Sequence, residues 1–150
     1  MANFVFNIAK GRAVEMYNRV DINDPATATL KVVVLEATGL ETQANLEDSL
    51  TLTEVLDGTT NEQTTMGRKS LDDTALVAFT NDTTNNRNDL DLPDQTWTGA
   101  TGNAVGALVI CYDPNSSADT AIIPLSYHDF AVTPDGSDIT AQIAVFFRAS

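Results

Sequence analysis

Ser126, His128 and Asp129 carry the functional groups of a hydrolytic triad: a hydroxyl, an imidazole and a carboxylate. A triad works only when each group hydrogen-bonds to the next. We expect this segment to be a strand, in which neighbouring residues point to opposite faces, so the sequence predicts no triad here. His128 is also the only histidine, which excludes a zinc site built from several histidines.

Aspartates recur in two short stretches where carboxylate oxygens could bind Ca²⁺. One stretch contains Asp89, Asp91 and Asp94, and the other is the turn at residues 135–138. Strand alternation places Asp89 and Asp91 on one face and leaves Asp94 beyond Pro93. Asp and Gly are also the residues that a tight turn needs. We therefore expect solvated acidic surface at both stretches and predict no metal site.

The other candidates for chemistry are glycines and a cysteine. Gly99, Gly102 and Gly106 lack the lysine and the serine or threonine that complete a phosphate-binding loop. Cys111, the single cysteine, stands in an apolar run with no predicted basic neighbour that would lower the pKa of its thiol. The sequence thus predicts no catalytic residue and no cofactor, and it predicts that the protein is not an enzyme.

Length and charge restrict the classes of function. The 150 residues predict one domain, residues 1–150, large enough to bury a core without disulfides. The chain has 8 basic and 21 acidic residues and a net charge of −13. This balance argues against a nucleic-acid partner and against an anionic membrane surface. The sequence shows neither a signal-peptide pattern nor a membrane-length apolar run, so we expect a protein made in a cytoplasm.

The N-terminal segment predicts an amphipathic helix over about residues 8–20. Apolar side chains recur there at helical spacing, and charged side chains lie off the stripe. Asn7 is a suitable cap, and Pro25 disfavours helical geometry at the residue before it. The expected buried stripe consists of Phe6, Ala9, Ala13, Met16, Tyr17 and Val20.

Short strands separated by turn residues are expected from about residue 29 to residue 147. The run 29–36 is β-branched and apolar on both faces, which is typical of a central strand. Thr51 and Glu54 have the spacing of a capping box and predict a short second helical turn. Weaker strand patterns occupy residues 63–71, 76–79 and, interrupted by a proline, 90–98.

The last third of the chain has the clearest strand pattern. Residues 104–112 and 120–127 predict a hairpin around a turn at 113–119. A second hairpin is expected around the turn at 133–137, and the run 138–147 should alternate. The predicted buried face of that run is Ile139, Ala141, Ile143, Val145 and Phe147. The predicted fold class is mainly β: an antiparallel β-sandwich or barrel with an N-terminal amphipathic helix and a short second helical turn.

The order of several segments resembles a family of small virion structural proteins of tailed bacteriophages. The matching segments are KGRAVEMYNRV, TATLKVVVLE, DQTW at residues 94–97, ALVICYD at residues 107–113 and IPLSYHDF at residues 123–130. The resemblance implies a capsid cement (decoration) protein that binds the outer face of the major capsid protein lattice after shell expansion. It also implies repeated copies, as dimers or trimers, on the exterior of the phage head.

Binding to a capsid would need a hydrophobic anchor with a polar rim. Phe4 and Phe6 are the candidate anchors, and Arg12 and Arg19 are candidates to pair with acidic capsid groups. For the two phenylalanines, packing in the core is the competing interpretation.

Two other functions remain open. The protein could belong to the neck or tail of the particle rather than to the head. It could also be a carbohydrate-binding β-sandwich module in which Trp97 and Tyr112 stack on sugar rings, although core packing explains both aromatic residues as well.

Overall fold

A five-stranded antiparallel sheet forms the centre of the protein, for which a computed structural model describes residues 1–115 and 118–150. Its strands, in spatial order, are β1 (Phe4–Val5), β7 (Ile123–Val132), β6 (Val105–Asp113), β2 (Thr29–Glu36) and β3 (Lys69–Leu71). The central strand β6 is almost wholly buried, as expected of its continuous apolar run. β2 is the predicted strand 29–36 and pairs with β6 along its whole length.

Four shorter strands form two more antiparallel pairs, β4 (Asn88–Asp91) with β9 (Val145–Ala149) and β5 (Gln95–Trp97) with β8 (Ile139–Ala141). The helical elements are a 3₁₀ turn (Asn7–Ala9), α1 (Ala13–Asp21), α2 (Gln43–Leu46) and α3 (Leu52–Val55). Apolar side chains from all these sheets enter one core. The predicted mainly β, antiparallel fold is confirmed, and across the described residues the sheets are sandwich-like with no closed barrel.

The N-terminal segment buries the whole predicted stripe without forming one continuous helix. All six side chains of the stripe are buried. The predicted span of 8–20 is wrong, because residues 10–12 separate the 3₁₀ turn from α1. In the break, the amides of Gly11 and Arg12 both donate to the Ala9 carbonyl oxygen, at 2.9 and 3.0 Å, which is the bonding of a turn and not of an α-helix.

The second helical turn is confirmed as α3. The Thr51 hydroxyl oxygen accepts a hydrogen bond from the Glu54 amide at 3.4 Å. The Glu54 carboxylate in return accepts the Leu50 amide at 2.7 Å, one residue before the position that a capping box uses. These bonds satisfy amides that have no partner within a helix this short.

One of the two predicted C-terminal hairpins forms. β6 and β7 pair as predicted, although residues 116 and 117 of the turn between them lie outside the described residues. The second hairpin is wrong, because β8 pairs with β5 and not with β7. The cause lies in the turn, where Ala100 donates to the Ser137 carbonyl oxygen and Gly136 donates to the Ala100 carbonyl oxygen. The turn therefore directs the chain to the smaller sheet.

The alternation expected over residues 138–147 is also interrupted. β8 ends at Ala141, and the amide of Ile143 donates to the Asp94 carboxylate at 2.9 Å instead of to a strand. The break shifts the pattern by one residue, so Phe146 is buried and Val145 is 41% exposed.

The weaker strand patterns are realised in part. Of residues 63–71, only β3 is a strand, and residues 90–98 are divided between β4 and β5 around Pro93. The expected strand at 76–79 is wrong. Asp72 accepts the amides of Thr74 and Ala75, and the resulting turn replaces a strand there.

Candidate partner interface

Two members of the apparent triad do meet. The Ser126 hydroxyl oxygen lies 2.9 Å from Nε2 of His128, because residues two apart on β7 share a face. Asp129 points to the other face, where its carboxylate lies 3.1 Å from the Met1 amino group. Sequence reasoning that considered only adjacent residues missed the Ser126–His128 contact, but the third group of a triad is not beside it.

The Ser126–His128 pair is arranged as a packing contact. Ser126 is 1% exposed, so its hydroxyl is not presented to a substrate. His128 borders a cavity of about 240 Å³ whose lining includes apolar Leu108, Ile110 and Phe146 together with polar side chains. Burial lowers the pKa of His128, which favours the neutral imidazole that can accept or donate one hydrogen bond.

The aspartates are used separately. Asp89 lies between Arg148 at 2.6 Å and Arg87 at 3.1 Å, while Asp94 accepts the Ile143 amide. In the part of the chain that the structure describes, no three acidic, cysteine or histidine side chains are grouped as metal ligands. Burial raises the pKa of the Cys111 thiol, which therefore stays protonated.

The four residues predicted to contact a partner occupy two places. Phe4 is half-buried on the sheet edge, where its ring stacks on Tyr127 with centroids 4.8 Å apart. Phe6 is fully buried, so core packing explains it and it offers no surface anchor. Arg12 directly precedes α1 and Arg19 lies in its last turn, and both are exposed.

Arg12 and Arg19 border a groove of about 330 Å³, which we call the arginine groove. One wall comes from the face of α1 next to the central sheet. The other comes from the hairpin end at which Tyr112 of β6 pairs with Ile123 of β7. The groove is lined by Arg12, Glu15, Met16, Arg19, Tyr112, Pro114 and Ile123.

The two arginines of the groove differ in their ionic partners. Arg19 Nε lies 3.1 Å from the Glu15 carboxylate, and this hydrogen bond raises the pKa of Arg19. Within the described residues, Arg12 is the one arginine with no carboxylate within 4.0 Å. Its side chain is exposed, so the guanidinium can donate to a group outside this chain.

The floor of the groove is apolar and was not predicted. Met16 and Tyr112 are 7% and 5% exposed, and Ile123 is half-buried. Met16 was expected in the helical stripe, but nothing local in the sequence places β6 and β7 beside α1. The arrangement joins exposed cationic groups to a shallow apolar surface, a combination suited to binding an acidic protein surface.

The aromatic residues of the carbohydrate-binding alternative are not displayed for stacking. Trp97 is 3% exposed, its Nε1 donates to the Gly67 carbonyl oxygen at 3.0 Å, and Lys69 Nζ lies 5.3 Å from the ring centroid. Tyr112 is buried to a similar degree. Neither ring presents an open face to a sugar.

The longest helix, α1, has 9 residues, and the described chain contains no apolar helix of membrane-spanning length. No protein-family model, curated protein or solved structure matches this chain.

Proposed function

We propose that this protein is a structural protein of a tailed-bacteriophage virion, specifically a capsid cement (decoration) protein. It binds the outer face of the major capsid lattice and stabilises the head. The arginine groove is the observation that carries the proposal: Arg12, which has no ionic partner among the described residues, borders an apolar floor on a chain of net charge −13. Arginine, tyrosine and methionine are enriched at protein interfaces, so the groove has the composition of a contact surface.

The segments that resemble the virion family support this proposal by their position. Residues 107–113 and 123–130 lie in β6 and β7, next to each other in the central sheet. The same two strands provide one wall of the arginine groove. The resembling segments therefore supply both the framework and part of the contact surface.

Capsid binding tests the proposal directly. Purified protein is added to expanded capsids that lack it, and bound protein is quantified by mass spectrometry. We expect saturation at a fixed copy number and a higher melting temperature of the shell in calorimetry, because a ligand of the assembled state stabilises that state. Protein that stays in the supernatant at all concentrations contradicts the proposal.

The copy number in native particles separates the head from the neck or tail. A number comparable with that of the major capsid protein indicates a lattice site on the head exterior, whereas a few copies per particle indicate the neck or tail. The proposal includes association of the protein with itself as dimers or trimers, which sedimentation of the purified protein measures.

A further inference from the structure

We infer that the arginine groove binds a segment of the capsid subunit that carries two carboxylates about 10 Å apart, with an apolar side chain between them. The inference rests on the proposed function and names the chemistry of the partner. It follows from the spacing of the two arginines, from the floor between them and from the difference in their ionic partners.

The backbone spacing of the arginines sets the approximate spacing of the partner's charges. Arg12, directly before α1, and Arg19 are separated by about two turns of helix, which at a rise of about 1.5 Å per residue places their Cα atoms about 10 Å apart on one side of the helix. Met16 and Ile123 lie in the groove between them. An aliphatic side chain fits over this floor when a carboxylate reaches the arginine at each end. The planar guanidinium favours a carboxylate because it can donate two parallel hydrogen bonds.

The two ends of the groove differ in how strongly they can bind a partner carboxylate. Arg12 is free to bind a carboxylate, whereas Arg19 is already engaged by Glu15 at 3.1 Å. A partner carboxylate at Arg19 must compete with Glu15 and is repelled by its charge. Arg12 is therefore the principal ionic contact, and Glu15 weakens the second one.

This difference predicts changes of opposite sign at two neighbouring surface positions. Removing the charge of Arg12 weakens binding, and removing the charge of Glu15 strengthens it, because Arg19 is released and a repulsive charge is lost. A purely structural role for the two residues does not produce this result, since loss of the Arg19–Glu15 pair could only destabilise α1.

The experiment measures the affinity of the protein and three variants for expanded capsids that lack it. We expect Arg12→Gln to raise Kd about tenfold and Glu15→Gln to lower Kd about threefold. Arg148→Gln is the matched control, because it removes the same charge from an exposed side chain on β9, outside the groove. Its Kd should stay that of the unaltered protein. Circular dichroism checks that each variant is folded.

The possible failures are distinguishable. If the unaltered protein binds capsids and the Arg12 and Glu15 variants bind equally well, the inference is overturned and the proposed function stands. If the unaltered protein does not bind, the proposed function is overturned and the inference falls with it. If Arg12→Gln abolishes self-association but leaves capsid affinity unchanged, a second copy occupies the groove and the inference is again overturned.

Discussion

At the scale of single residues, ionic partners decide which cations can contact another molecule. Arg68 lies 2.6 Å from both Glu62 and Asp119, and the hydrogen bonds that it donates to these carboxylates raise its pKa. Such an arginine is charged, but its guanidinium is already bound to carboxylates of its own chain. Arg12 has the same charge and no carboxylate within 4.0 Å among the described residues, so a contact with another molecule would not require it to break an ionic interaction first.

His128 gives a prediction about pH at this scale. Burial holds its pKa below the ordinary value of about 6.5, so the unfolded chain binds the proton more tightly than the folded one. Its contribution to stability is complete above that ordinary value and is lost as the pH falls through the lowered one. We expect the free energy of unfolding, measured by urea denaturation, to decrease from pH 7 to pH 5, with a slope of at most about 1.4 kcal/mol per pH unit.

His128→Gln is the control for this titration. The amide can still hydrogen-bond to the Ser126 hydroxyl but does not titrate. As the pH falls, the free energy of unfolding of the unaltered protein should therefore decrease relative to that of the variant, whatever the carboxylates contribute in both. Two parallel curves between pH 7 and pH 5 would show that the folded state does not discriminate against the imidazolium.

At the scale of elements, α1 connects the arginine groove to the smaller sheets. One face of the helix forms a wall of the groove. From another side, the Tyr17 hydroxyl lies 2.6 Å from the Val77 carbonyl oxygen and 2.9 Å from that of Asp91 in β4. Burial, with the nearby carboxylates of Asp21 and Asp91, raises the pKa of Tyr17 to about 12, so the hydroxyl remains a donor. The position of the groove wall therefore depends partly on this hydrogen bond.

Tyr17→Phe tests that connection. The variant removes the single hydroxyl donor that the Val77 and Asp91 carbonyl oxygens share, and we expect a loss of about 1 kcal/mol in the free energy of unfolding. Amide hydrogen exchange should become faster in the turn that follows Asp72, at the amides of Ala75 and Leu76, while the amides of β6 and β7 keep their protection. Tyr112→Phe is the matched control. The Tyr112 hydroxyl lies beside exposed Arg19, which can hydrogen-bond to water when this hydroxyl is removed. Equal losses in the two variants would contradict a linking role for Tyr17.

The sequence predicts well those elements whose burial is set by their own residue pattern and does not depend on which element packs beside them. The apolar run of β2, the run of β6 and the helical stripe each fix burial locally, whatever lies opposite. Strand pairing is different, because β8 alternates equally well beside β7 or β5, and hydrogen bonds between the turn at 133–137 and Ala100 decide the outcome. The same distinction applies to the arginine groove. Arg12 and Arg19 were predicted as partner contacts from their charge and their position off the apolar stripe. The apolar floor could not be predicted, because it depends on contacts between α1 and the distant β6–β7 hairpin.

At the scale of the whole molecule, charge opposes folding and self-association. Acidic residues outnumber basic ones by 21 to 8, and the basic residues are concentrated in the first half of the chain. Ion pairs do not change the net charge of −13, so the folded state retains repulsion that the expanded unfolded chain relieves. In the proposed capsid contact, attraction at the arginine groove would act against this net negative charge, so we expect the apolar floor of the groove to contribute much of the affinity.

This field predicts that salt stabilises the protein at neutral pH. Raising the ionic strength from about 0.01 M to about 0.15 M shortens the screening length from about 30 Å to about 8 Å, which weakens repulsion among distant carboxylates more than it weakens contacts such as Arg68–Glu62. We expect the melting temperature at pH 7, followed by circular dichroism, to rise over this range. The control is the same titration near the sequence pI of about 4.1, where the net charge vanishes and the rise should disappear. A melting temperature that falls with salt at pH 7 would mean that attraction within close ion pairs contributes more to stability than repulsion from the net charge takes away. The contact of Arg12 with an acidic partner would then add less affinity than its exposure implies.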